Sequence, residues 1–166
     1  MKQLCFLPVS VFLAVCLFAT CLQVESAQSV DGLTIQAQLV WGTNDPQSPD
    51  PKHKSIDAEL TKKLSKAPYR WKYYFEVKRL DTGLALGETK PLSMSDKCKI
   101  DIKNLGGDKV EVKLYGDGKP VSKHVEKLVS DWPLVLSGDA KNDTAWLVVI
   151  QKVEANAAKV QKPAAK

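Results

Sequence analysis

The stretch Arg70–Arg79, RWKYYFEVKR, puts four aromatic and four cationic side chains into ten positions. Side chains alternate faces along a β-strand. Trp71, Tyr73, Phe75 and Val77 therefore fall on one side, and Arg70, Lys72, Tyr74, Glu76 and Lys78 on the other. The aromatics are separated from the charges. A stacking platform for bases or sugars needs both on one exposed face, and Tyr74 alone meets that condition. The stretch reads as a half-buried strand, with Trp71 and Phe75 in a core. Arg70, Lys72, Tyr74 and Lys78 form the candidate binding face on its solvated side.

The same period of two recurs along the chain. Leu33, Ile35, Ala37, Leu39 and Trp41 alternate with Thr34, Gln36 and Gln38, and Cys98, Ile100 and Ile102, then Val110, Val112 and Leu114, alternate with polar residues likewise. Val121, Val125 and Val129 share a side in the next run, and Thr144–Val153 is almost continuously apolar. Ile100, Val112, Leu114 and Leu147 join Trp71 and Phe75 as expected core. Turn signals stand between the runs at Asp81–Gly83, Asn104–Gly107, Gly116–Gly118 and Ser137–Asp139. Short alternating runs punctuated by Gly and Asp specify an antiparallel sandwich or barrel. One short amphipathic helix is expected over Ile56–Leu64, capped by Ser55, with Ile56, Leu60 and Leu64 on one face. It would cover a sheet or a sheet edge. The last strand is apolar on both faces, which calls for a central position or for cover by that helix.

The two ends of the chain differ in kind from this middle. Met1-Lys2 gives a positive start, Leu4–Leu22 is uncharged over 19 residues, and Val24-Glu25-Ser26-Ala27 follows. That order is a secretory signal peptide, and cleavage after Ser26 places Val24 at −3 and Ser26 at −1. Two rivals remain. An uncharged run near the ~20 residues that span a bilayer could stay as an anchor. Phe18-Ala19-Thr20-Cys21 also loosely resembles a bacterial lipoprotein box, with Cys21 as the lipidated residue. The expected organisation is a signal peptide over 1–26, one β-sandwich domain over 27–153 and an Ala/Lys-rich tail over 154–166. The mature 140 residues suffice for one core and carry 23 basic and 18 acidic side chains, a mild excess. It permits attraction to anionic polymers without demonstrating it.

Little in the mature chain suggests catalysis. Cys98 is its single cysteine, so no internal disulfide forms, and its place in an alternating run makes it a small buried hydrophobe. His53 lies in the proline-punctuated loop that begins with Asn44–Pro51, and His124 on the polar side of a strand. Neither has metal-ligand spacing, and no P-loop, GxGxxG or GxSxG is present. Asp139, Asn142 and Asp143 lack EF-hand spacing and read as turn residues. No metal or cofactor is expected.

Lys99-Ile-Asp-Ile-Lys-Asn-Leu-Gly-Gly107 followed by Val110-Glu-Val-Lys-Leu-Tyr-Gly-Asp-Gly118 resembles the strand–turn–strand of immunoglobulin-like sandwich domains in exported bacterial proteins. With its leader and Leu39-Val-Trp-Gly-Thr-Asn44, the chain is also similar to small uncharacterised secreted bacterial proteins. The resemblance implies an immunoglobulin-like sandwich of about seven or eight strands and carries no functional residues. The expected protein is a secreted or periplasmic, non-catalytic structural or binding module. It would meet a cell-envelope component or another exported protein, with no specific nucleic acid and no transmembrane span in the mature chain. A weak binder of anionic polymer or carbohydrate is the alternative, and a secreted hydrolase the third reading. Mass spectrometry of the exported protein should find a chain starting near Ala27. An intact Met1 in a membrane fraction would favour the anchor, and a lipid on Cys21 the lipoprotein.

Overall fold

The computed structural model describes residues 32–66, 68–69, 71–139 and 143–153. The leader, Arg70, Asn142 and the tail lie outside the described residues, as does the side chain of Asp139. The order of elements is β1 (Leu33–Thr43), β2 (Lys54–Ser55), α1 (Ala58–Leu64), β3 (Tyr73–Leu84) and β4 (Thr89–Ser93). Then come β5 (Cys98–Gly106), β6 (Lys109–Gly116), β7 (Lys119–Lys127), β8 (Leu134–Asp139) and β9 (Ala145–Lys152). The strands form two antiparallel sheets, ordered β2-β3-β1-β9-β8 and β4-β5-β6-β7. The protein is thus mainly β and sandwich-like, with one short helix. The described residues form nine strands, of which β2 has two residues.

One apolar core lies between the sheets. Ile35, Ala37 and Leu39 of β1 and Val148 and Ile150 of β9 meet Ile100, Ile102, Val112 and Leu114 of the smaller sheet. A second lies on the outer face of the larger sheet, where Ile56, Leu60 and Leu64 pack on Val40, Tyr74, Leu147 and Val149. β9 is therefore buried on both faces, and α1 provides the outer cover. The helix begins later than Ser55. Asp57 is its N-cap, with a side chain that accepts from the Leu60 amide at 2.8 Å, while Ser55 pairs with Phe75 in the sheet. Ile56 precedes the helix yet is buried, its amide donating to the Tyr74 carbonyl at 3.3 Å.

A β-bulge decides which way β3 presents its side chains. Leu39 pairs with Lys78 and Val40 with Glu76, so Val77 has no partner. An extra residue in one strand reverses the alternation beyond it. Before the bulge Tyr74 faces the helix, and after it Leu80 and Leu84 face the inter-sheet core. The uniform alternation read from Arg70–Arg79 fails at this point. Phe75 is buried as expected, whereas Trp71 is half-buried beside the helix cluster and Tyr73, at the strand's start, is exposed.

Two hairpin turns fall where the glycines place them. Gly107-Asp108 has φ of 59° and 63°, and Asp117-Gly118 has 49° and 75°; two-residue loops with positive φ at both positions match the twist of the strands they join. Two other turn signals are misleading. Asp81–Gly83 lies inside β3, and the chain turns at Ala85–Glu88 instead. Ser137–Asp139 belongs to β8, where Gly138 stands opposite Trp146. A Cβ on Gly138 would lie 1.9 Å from Trp146 Cζ2, so this glycine makes room for a ring. Nor do Val121, Val125 and Val129 line a core; all three are exposed, since Val121 and Val125 belong to the edge strand β7, where Val125 stands beside Glu111 on the outward row, and Val129 lies in the connection beyond it.

Leu60→Ala should cost ~2–5 kcal/mol of stability in urea unfolding, as cavity-forming core truncations do. A loss below ~1 kcal/mol would mean that the helix is a dispensable cover.

Candidate functional site: an apolar cavity at one end of the sandwich

Where β1 ends and β9 begins, the space between the sheets opens into a cavity of about 350 Å³. Leu39 and Trp41 of β1, Trp146 of β9 and the bulged Val77 of β3 wall it on one side. Cys98 at the start of β5 and Gly116 at the end of β6 wall it on the other. Trp41 and Trp146 are direct cross-strand partners, so register alone brings the two indoles together. Gly138, without a side chain, leaves room for the Trp146 ring against β8.

The rim is polar and comes from loops. Pro49 and His53 belong to the proline-rich connection after β1, where His53 Nδ1 lies 2.8 Å from Ser48 Oγ. The β4–β5 connection is tied down by Met94 and Ser95 amides donating to the Cys98 carbonyl at 2.9 and 3.0 Å. Ser95 Oγ in turn accepts from the Cys98 amide at 3.0 Å. Lys97 is held at the mouth by its carbonyl, which accepts from the Asp117 amide at 2.8 Å. The thiol of Cys98 is buried as expected, and burial pushes it up to about 11. It is a neutral thiol at neutral pH and not a poised nucleophile. Mostly apolar walls with a few polar groups at the mouth suit a ligand whose body is apolar and whose polar end stays at the rim. A sugar, with hydroxyls on every side, would leave most of them without partners here.

The basic face read from the sequence is not assembled this way. Arg70 lies outside the described residues. Lys72 is exposed just before β3, and its amide donates to Asn44 Oδ1 at 3.2 Å. Tyr74 is 3% exposed beneath the helix, and burial raises its phenol above the ordinary value. Lys78, beyond the bulge, points the other way, and its Nζ donates to the Ser93 carbonyl of the opposite sheet at 2.7 Å. The bulge and the helix together divide these residues among an exposed loop, a core and an inter-sheet clasp. Lys99 and Lys103 belong to the second sheet, where acids interrupt the cations. Lys99 pairs with Asp101 at 3.2 Å and sits 5.4 Å from the centre of the Tyr115 ring. Lys123, bonded to Glu111 at 2.9 Å, holds that carboxyl below its usual range.

Of the acidic turn, Asp143 is described, and its carbonyl accepts from Trp71 Nε1 at 2.8 Å. Among the described residues no three His, Cys, Asp or Glu side chains converge on a common point. The sequence did place Trp41 and Trp146 in apolar rows, but nothing in it announced that the two rows meet at a gap. Family models, curated proteins and solved structures provide no match to this chain.

The Cys98 thiol yields a pH dependence with a definite sign. A folded value near 11 lies above the ordinary 9.0 of an unfolded cysteine, so unfolding releases a proton at alkaline pH. Its contribution is complete below the unfolded value and lost as pH rises through the folded one. Cys98→Val should remove that part of the decline in melting temperature between about pH 9 and 11. Parallel curves for the two proteins would mean that the thiol titrates as a free one.

Proposed function

We propose that the protein is an exported, non-catalytic binding module of immunoglobulin-like sandwich type, acting in the periplasm or cell envelope. Its ligand enters the cavity between the sheets and is an aliphatic or aromatic body with a polar end. The observation that carries this reading is the Trp41–Trp146 pair, two large indoles that line a cavity of about 350 Å³ at a strand end. Trp41 and Trp146 are each half-buried, so part of their apolar surface meets solvent at this end. A ligand that enters removes that surface from water.

The titratable groups nearby serve binding better than turnover. His53 is engaged with Ser48, and Cys98 is held protonated. Export rests on the leader, and the immunoglobulin-like character rests on the two antiparallel sheets together with the strand–turn–strand runs of β5, β6 and β7. The anionic-polymer reading has less support, since Lys72 and Lys78 diverge and Lys99 and Lys103 occupy the other sheet. Only concentrated charge attracts such a polymer strongly.

Titration with anilinonaphthalene sulfonate tests the reading, because that probe joins an apolar aromatic body to an anionic end. A single saturable site should quench the tryptophan emission, and Trp41→Ala should weaken it about tenfold, the effect of ~1.4 kcal/mol. Undiminished binding by Trp41→Ala, or no binding to the folded protein, would remove the cavity from consideration.

A further inference from the structure

The opposite end of the sandwich has its own chemistry. β1 starts there and β9 finishes there, with the Val153 amide donating to the Thr34 carbonyl at 2.9 Å. The chain before residue 32 and the chain after residue 153 therefore both join the fold at this end. Three connections meet beside them. The Gly87 amide donates to Asn104 at 2.8 Å, the Asn104 amide to Glu88 at 3.0 Å, and the Leu128 amide to Asp108 at 2.8 Å. These bonds lace the β3–β4 turn, the β5–β6 hairpin and the β7–β8 crossover together.

The laced connections and the end of β5 expose Leu86 at 59%, Leu105 at 39%, Val129 at 49% and Trp132 at 44%. Single exposed apolar residues are ordinary, but a group gathered at one end marks an interaction surface. Cations surround the group unevenly. Lys90 and Lys152 pair with Glu88 and Asp108 at 3.4 and 2.9 Å. Lys109 and Lys127, in contrast, stand directly opposite each other in the β6–β7 ladder. Like charges so placed repel, and an anionic partner would relieve that repulsion. Glu126 and Asp131 border the crossover, so the electrostatic attraction is modest and apolar insertion must supply much of the affinity.

We propose that this end docks on an anionic lipid surface, with Leu86, Leu105, Val129 and Trp132 entering the interfacial layer and Lys109 and Lys127 meeting headgroup phosphates. A bilayer is favoured over a protein partner by three observations. Leu86, Val129 and Trp132 sit in connections and Leu105 at the end of β5, and tryptophan is suited to the membrane–water boundary. The uncharged run Leu4–Leu22 lies on the chain that enters at this end, so a retained leader would tether the same surface to a membrane. The tail that leaves here carries Lys159, Lys162 and Lys166 against Glu154, and an anionic membrane surface attracts each lysine held close to it. The site is separate from the cavity, and neither reading depends on the other.

The test uses the chain from Ala27 to Lys166 in flotation with two kinds of vesicle, phosphatidylcholine alone and phosphatidylcholine mixed with phosphatidylglycerol. The protein should float with the mixed vesicles. Leu86→Ser with Leu105→Ser, and separately Trp132→Ser, should each reduce this about tenfold, since each removes apolar burial of roughly 1–2 kcal/mol. Lys109→Glu with Lys127→Glu should abolish the preference for phosphatidylglycerol, and Trp41→Ala should change nothing. Urea unfolding of each variant establishes that it is folded. Loss of flotation that only accompanies unfolding, equal flotation of wild type and all folded variants, or no flotation at all would overturn the proposal. Sedimentation showing a dimer dissolved by the same substitutions would also overturn it and assign the surface to a second copy.

Discussion

The burial of β9 on both faces is the constraint on which the rest of the architecture depends. Leu147 and Val149 point to one side and Val148 and Ile150 to the other, and none of the four is accessible. A strand apolar on both faces is stable only with a layer above and a layer below. The four-stranded sheet covers one side. The other requires something from outside the sheets, and the connection from β1 to β3 supplies it as α1. A helix of seven residues has little stability of its own, so its Leu60 and Leu64 contacts and its Asp57 cap hold it in place. The same cover buries Tyr74, which removes the one aromatic that the strand's charged side could have offered to a ligand.

Alternation told the truth wherever strands were regular. β5 and β6 bury the rows that their sequences alternate, β1 buries Leu33, Ile35, Ala37 and Leu39 but also Gln38 and Val40 of the other row, and the two-faced burial of β9 follows from its continuous apolar run. It failed in β3 because of one residue, and in β7 because the valine row stands outward beside Glu111. Nothing in Glu76-Val77-Lys78 distinguishes a bulged valine from a paired one; the bulge arises from how β1 and β3 align over their whole length. Glycine was similarly ambiguous. Gly118 and Gly107 occupy positive φ, as turn glycines do, whereas Gly138 lies in a strand and yields its side-chain volume to Trp146. The local sequence cannot separate the two uses, since the second depends on a residue eight positions away across a ladder.

The cavity was beyond reach of the sequence for the same reason. Its walls come from β1, β3, β5, β6 and β9, and no two of its principal apolar residues, Leu39, Trp41, Val77, Cys98 and Trp146, are adjacent in sequence. The bulge that misled the reading of β3 also delivers Val77 to this wall. The charged residues were legible as charges but not as a surface. Their faces depend on the bulge, and their partners, such as Ser93 for Lys78 and Glu111 for Lys123, lie on strands whose order was unknown.

The sheet edges explain why interaction should fall at the ends of the sandwich. An unpaired edge invites another strand, and proteins blunt it with lysine, proline or brevity. β7 carries Lys119, Lys123 and Lys127 together with Pro120, and β4 carries Pro91 in a strand of five residues. β2 has two residues and β8 has six. With the edges discouraged and α1 covering part of the outer face of the larger sheet, apolar surface is left chiefly at the two poles. One pole is concave and walled by indoles; the other is a set of connections and strand ends beside both chain junctions. If the second pole rests on a membrane, strand direction alone turns the mouth of the first toward solvent, because β1 runs from Leu33 at one pole to Trp41 at the other. A binding cavity and its means of attachment would then be set apart by the length of a strand, without a linker or a second domain.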